Sequence, residues 1–94
     1  MIDFRDIRPG QPRTFDWKGE SVVVAAESET VFWVSKYVNG GAWKVARLTR
    51  DPDAEDPWTV TSVSALHDDE AWSSWGGALR SAASMQLDAG DYPG

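Results

Sequence analysis

The 94-residue chain has no cysteine. That excludes a disulfide framework, a thiol nucleophile and any cysteine-ligated zinc site. Its single histidine, His67, cannot build a histidine-rich metal centre. Long apolar runs are missing too. The longest uninterrupted one is Val22 to Ala26, whereas a membrane-spanning helix needs about 20 residues. The opening stretch MIDFRDIRPG carries charges where a secretion signal needs an apolar centre, so a cytoplasmic location is the default expectation. No Gly-x-Ser-x-Gly elbow, phosphate-binding loop or His-Glu-x-x-His motif occurs. Ser64, His67, Asp68 and Asp69 lie too close along one stretch to converge as nucleophile, base and orienting acid. His67 is instead expected at the start of a helix. The chain therefore reads as non-enzymatic, with no catalytic residue, metal or cofactor assigned.

Positive charge is scarce in one half. Residues 1–50 hold eight basic and six acidic side chains, whereas residues 51–94 hold Arg80 against nine acidic ones, giving a net charge of −6. Such asymmetry marks either a solubilising acidic end or an interaction surface. Frequent Ala, Gly, Arg and Pro with few Lys, Ile and Asn suggest a GC-rich bacterial or phage genome.

What the chain does have is tryptophan, six of them. One aromatic side chain can bury about 150–250 Å², which suits a single domain, residues 1–94, able to build one compact core. The tryptophans serve that core or an exposed binding surface, and composition leaves both open.

The densest apolar stretch is Val31 to Leu48, VFWVSKYVNGGAWKVARL. Asn39-Gly40 between two strand-like runs is a strong hairpin signal, because both residues accept the positive φ of a tight turn. A two-residue turn sets Lys36 opposite Trp43, Val34 opposite Val45 and Phe32 opposite Arg47. A three-residue loop ending at Gly41 would instead oppose Lys36 and Lys44, an unfavourable like-charge pair. The first register places Phe32, Val34, Val38, Trp43 and Val45 on a core face. It leaves Trp33, Ser35, Tyr37, Lys44, Ala46 and Leu48 on the other.

Around this hairpin, residues 1–12 form an arm with turn-forming Pro9, Gly10 and Pro12. Thr14 to Trp17, Ser21 to Ala26 and Trp58 to Ser64 read as further strands, with Lys18-Gly19 as a tight turn. Short connections favour an antiparallel meander. Periodicity and the acids Asp68, Asp69 and Glu70 at its positive end predict a helix over 68–87. Trp72, Trp75, Gly76 and Leu79 would face inward, Gly76 allowing close approach to the sheet. Ser73, Gly77, Arg80, Ser81 and Ser84 would face outward. Residues 88–94 read as a frayed tail. The expected fold is α+β: a meander of about five strands over 13–64, with a small SH3-like barrel as a variant, and one C-terminal helix packed on it.

Three surfaces are candidates for binding. The hairpin offers Trp33, Tyr37, Lys44 and Arg47. The loop Asp51 to Pro57 offers Asp53, Glu55 and Asp56, whose alternation resembles a calcium loop but lacks its sixth-position glycine and twelfth-position glutamate. The outer helix face is small enough for close contact with another helix or a second copy of the chain. The favoured expectation is a small protein-interaction module, a bacterial or phage accessory protein that binds another protein, with homodimerisation through the helix or a sheet edge open. The alternative is nucleic-acid binding through Lys36, Lys44, Arg47 and the aromatics. Residues 31–87 resemble in outline the three-strand-plus-helix arm-binding domains of phage integrases, which would imply DNA binding, although the acidic helix start and few basic residues depart from that pattern. A third expectation is tryptophan-mediated recognition of a saccharide or a proline-rich peptide.

Overall fold

The computed structural model describes residues 2–64 and 67–86. Six antiparallel strands lie in sequence order: β1 (Arg13–Trp17), β2 (Glu20–Ala26), β3 (Val31–Val38), β4 (Gly41–Arg50), β5 (Trp58–Ser62) and β6 (Glu70–Trp72). A helix, α1 (Trp75–Ser84), packs on one face. The expected α+β meander is thus present with one more strand. Among the described residues β1 and β6 do not pair, so the sheet is open rather than closed as a barrel.

Two tight turns fix the first four strands. Lys18 and Gly19 have φ of 50° and 83°, and Asn39 and Gly40 have 51° and 82°. Positive φ at both central residues matches the turn to the right-handed twist of the strands it joins. The two-residue hairpin turn is therefore present, with Val38 paired to Gly41, Lys36 to Trp43 and Ser35 to Lys44. Beyond that point the expected register fails. Val34 pairs with Ala46, not Val45, and Phe32 pairs with Leu48, not Arg47. Val45 is an inserted bulge residue. A bulge puts two residues of one strand opposite one of the other, and here Val45 and Ala46 are both buried. Without it, strict alternation would turn Arg47 into the core and Leu48 out to solvent.

The core forms between the helix and the corrected face. Val22, Val24, Phe32, Val34, Leu48 and Val60 of the sheet pack with Ala78, Leu79, Ala82 and Ala83 of α1. Small alanines on the helix let its backbone lie close to a sheet of β-branched residues. At one end four rings, Phe4, Phe32, Trp58 and Trp75, touch in every pairing, with centroids 4.9–6.2 Å apart. Phe4 comes from a 3₁₀ turn, Phe4–Asp6, capped by the Asp3 carboxylate. The Trp75 indole donates to the Ile2 carbonyl, and Ile7 is buried. The N-terminal arm is therefore part of the core.

The helix begins seven residues later than the expected Asp68. Glu70–Trp72 pairs with β5 instead, Trp72 opposite Trp58 and Glu70 opposite Val60. Ser74 caps α1, its hydroxyl accepting from the Gly77 amide. An N-cap serine satisfies an amide that the helix cannot, and this start leaves Gly76 and Gly77 in the first turn rather than in the interior. His67 consequently precedes a strand, not the helix. Leu87 and the tail 88–94 lie outside the described residues.

The two glycines exchange the roles expected of them. A Cβ on Gly77 would lie 2.6 Å from Cε3 of Trp72, whereas one on Gly76 would meet only the Arg80 guanidinium at 3.7 Å. Gly77 is the close-packed position, buried beneath the Trp72 ring. In urea denaturation, Gly77→Ala is expected to destabilise by about 1–2 kcal/mol through overpacking. Gly76→Ala should be neutral or up to about 0.5 kcal/mol stabilising, by helix propensity. The reverse order would refute this packing.

Glu70 joins β6 to α1, accepting from the Ser81 hydroxyl and, at 2.8 Å, from the Trp72 indole. The Ser81 hydrogen bond, then that of Trp72, holds its carboxyl below the usual glutamate value. A depressed folded pKa contributes stability above the unfolded value, about 4.3, and that contribution is lost as pH falls through the folded value. The stability gap between wild type and Glu70→Gln should therefore be constant above about pH 5 and narrow towards pH 3. A gap independent of pH would exclude this linkage.

Candidate interaction face

The helix and the arm cover only the face carrying Phe32, Val34 and Leu48. By strand alternation Trp33, Ser35 and Tyr37 of β3 point the other way, with Lys44 and Arg47 of β4 beside them, since Ser35 pairs with Lys44 and Trp33 with Arg47. Among the described residues no second layer lies over this face. The bulge is what brings Lys44 and Arg47 together here, since they are three apart and an unbroken strand would send them to opposite sides.

Trp33 is the platform of the face. The Lys44 ammonium sits 4.3 Å from its ring centroid and the Arg47 guanidinium carbon 5.9 Å. Cations over an indole are attracted by its quadrupole, each contact contributing about 0.5–1 kcal/mol at an exposed site. The half-buried ring keeps its Nε1 shielded and without a hydrogen-bond partner, a cost that sheet packing must offset. Tyr37 projects further and is 53% exposed. Asp16 is a negative group on the same face by register, two strands away in β1.

Lys36 does not belong to this group. It lies on the core face opposite Trp43, 3% exposed, with its ammonium 2.9 Å from Glu20. The nucleic-acid platform expected from Lys36, Lys44 and Arg47 thus loses one of its three cations to the other side of the sheet.

The outer helix face is also rearranged. Gly77 is buried, and Ser81 is half-buried and engaged with Glu70. Ser73 precedes the helix. Ser84 is exposed and donates back to the Arg80 carbonyl, and Arg80 itself is exposed. The strand β6 and the Trp72 ring occupy the side where a partner helix was expected to settle. Asp53, Glu55 and Asp56 are exposed on a loop whose turn is held by the Asp51 carboxylate accepting from the Asp53 amide. Among the described residues no three His, Asp or Glu side chains converge to hold a metal ion.

The tryptophans differ in burial. Trp58 and Trp75 are core, Trp17 and Trp33 are half-buried, and Trp43 and Trp72 are more than one-third exposed. No described helix is long and apolar enough to cross a membrane. Comparison with protein-family models, with curated proteins and with solved structures finds no match to this chain. The outline likeness to integrase domains gains nothing from them, and a six-stranded sheet departs from a three-stranded one.

The placement of Lys36 has a direct test. Replacing a buried ion pair by an apolar side chain is often neutral, whereas removing one partner strands a charge. Lys36→Met is expected to change stability by less than about 1 kcal/mol. Glu20→Ala should cost about 1–2 kcal/mol, below the fully buried range because Glu20 is half exposed to solvent. Urea denaturation of both variants reads the difference, and a severe loss in Lys36→Met with none in Glu20→Ala would overturn the assignment.

Proposed function

We propose that this chain is a non-enzymatic protein-interaction module that binds an acidic segment of another protein on the open sheet face, through Trp33, Tyr37, Lys44 and Arg47. The observation that carries this reading is the two-cation, two-aromatic cluster on a face that the chain's own helix and arm leave uncovered. Tryptophan, tyrosine and arginine are the residues most often found at the energetic centres of protein interfaces. They supply large, rigid contact area at small cost in side-chain entropy. Charge complementarity selects the partner: the cluster is cationic although the whole chain carries −6, so an acidic segment is attracted to this face and repelled elsewhere.

Nucleic acid fits less well. Its affinity grows with the number of phosphates neutralised, and two cations with Asp16 nearby make a short track. A bacterial or phage accessory protein that works by binding remains the broader setting proposed for the chain.

The test is selection of peptides from a displayed random library, with counter-selection on a Lys44→Glu/Arg47→Glu variant. The expected result is enrichment of acidic peptides that shift the Trp33 indole signal in ¹H–¹⁵N spectra. Their affinity should fall at least about tenfold in Arg47→Glu. No enrichment dependent on these residues would overturn the proposal. So would tight, steeply salt-dependent binding of single-stranded DNA in preference to any peptide.

A further inference from the structure

A second cationic site lies at the far end of β3 and β4 from the Asn39–Gly40 turn. There a groove of about 490 Å³ opens between the N-terminal arm and the connection from β2 to β3. Its walls carry three arginines, Arg5, Arg8 and Arg50, with Phe4 and Phe32 as an apolar floor. This volume is within the range of small-molecule pockets, which combine apolar surface with a few placed polar groups.

The arginines are held in different ways. Arg50 ends β4, where its amide donates to the Thr30 carbonyl at 2.8 Å, and its guanidinium carbon lies 4.8 Å from the Phe4 centroid. Arg5 lies 5.3 Å from the same ring and is paired with the Asp3 carboxylate at 3.3 Å. Among the described residues neither Arg50 nor Arg8 has a carboxylate within ion-pair distance. A guanidinium offers five donors in a planar fork, and a ring face satisfies none of them in the way an oxyanion does. Three arginines in one groove of a chain with net charge −6, two of them with no ion-pair partner among the described residues, is an arrangement that an anion completes. Glu29 also lines the groove and repels a second anionic group, so the occupant has one charged end.

We infer that this groove binds a small ligand with a single oxyanion, phosphate or carboxylate, on an aromatic or apolar body. The oxyanion lies between Arg50 and Arg8, and the body rests against Phe4 and Phe32. This site is independent of the open sheet face, whose Lys44 and Arg47 do not line it.

The experiment is a ¹H–¹⁵N titration of the full chain at low salt with phenyl phosphate, benzoate and inorganic phosphate. Saturable shifts are expected in Phe4 to Arg8, Ser28, Glu29 and Arg50 with one of the two aromatic anions, and the tighter one names the oxyanion. Inorganic phosphate should bind about tenfold more weakly or worse, lacking the apolar body. Arg50→Gln should weaken binding by about tenfold or more, a charge-assisted hydrogen bond being lost. Arg8→Gln, at an exposed position outside the core, should weaken it by about fivefold. It serves as the readout if Arg50→Gln does not fold. Lys44→Glu should leave binding unchanged. Absence of saturable shifts at millimolar ligand overturns the inference. So do equal affinities for all three anions, or affinities unchanged in both arginine variants.

Discussion

Everything at one end of this molecule depends on four rings that touch in every pairing. Phe4, Phe32, Trp58 and Trp75 come from the arm, β3, β5 and α1, four segments far apart in the chain. Edge-to-face and tilted contacts give aromatic pairs about 0.5–1.5 kcal/mol beyond the burial of their area, and each ring here makes three of them. The cluster does what a short chain without disulfides cannot do by cross-linking. It closes the sheet end, orients the helix and draws the arm into the core. The indole of Trp75 fastens the arm a second time, at the Ile2 carbonyl. The arginine-lined groove exists only because Phe4 is held in this position.

The second constraint is a single inserted residue. Val45 breaks the alternation of β4, and with it the sheet acquires two chemically distinct faces. Ala46 and Leu48 join the core, and Lys44 and Arg47 appear together beside Trp33. Bulges bend a strand and re-aim its side chains, and this one separates the core-packing side chains from the exposed cationic ones within one hairpin. Lys36, on the unbulged strand, keeps its parity and is carried to the core face, where Glu20 across the β2–β3 pair meets its ammonium.

Where local chemistry determines geometry, the structure could be read from residue types. Asn39-Gly40 and Lys18-Gly19 specified their turns through positive φ alone, and valine-rich strands followed from β-propensity. The class and order of the meander were legible on the same grounds. The bulge was legible in principle, because Val-Ala-Arg-Leu under strict alternation would bury an arginine and expose a leucine. That conflict is settled by the energy of burying the arginine, which strand periodicity does not contain. The helix start was misplaced for a different reason. Asp68, Asp69 and Glu70 suit a helix N-terminus electrostatically, but Glu70–Trp72 gains more from pairing with β5, a contact remote from local preference. Ser74 ahead of Trp75 was the capping signal that the acids masked. Of the candidate site, Trp33, Tyr37, Lys44 and Arg47 fell together as a group. Gly77 and Ser81 did not stay on the surface, because β6 folds over them. The groove between Arg5, Arg8 and Arg50 joins the arm to two strand ends and has no signature in any one stretch.

The open face is not an apolar patch awaiting another layer. The Lys44 ammonium and the Arg47 guanidinium themselves lie over the Trp33 ring and cover part of it. Ser35, Thr49, Thr59 and Thr61 continue the same face by register with polar side chains. A purely apolar partner would have to strip hydration from two cations without compensation, a cost that a well-packed interface does not recover. A second copy meeting this face symmetrically would set cations against cations near the two-fold axis. An acidic partner encounters neither difficulty. Carboxylates of such a partner would meet the guanidinium and ammonium where they already lie, and its apolar groups would reach Tyr37 and Trp33. The physical requirement is therefore on sign of charge first and on shape second, and it follows from Lys44 and Arg47 standing on one side of the sheet.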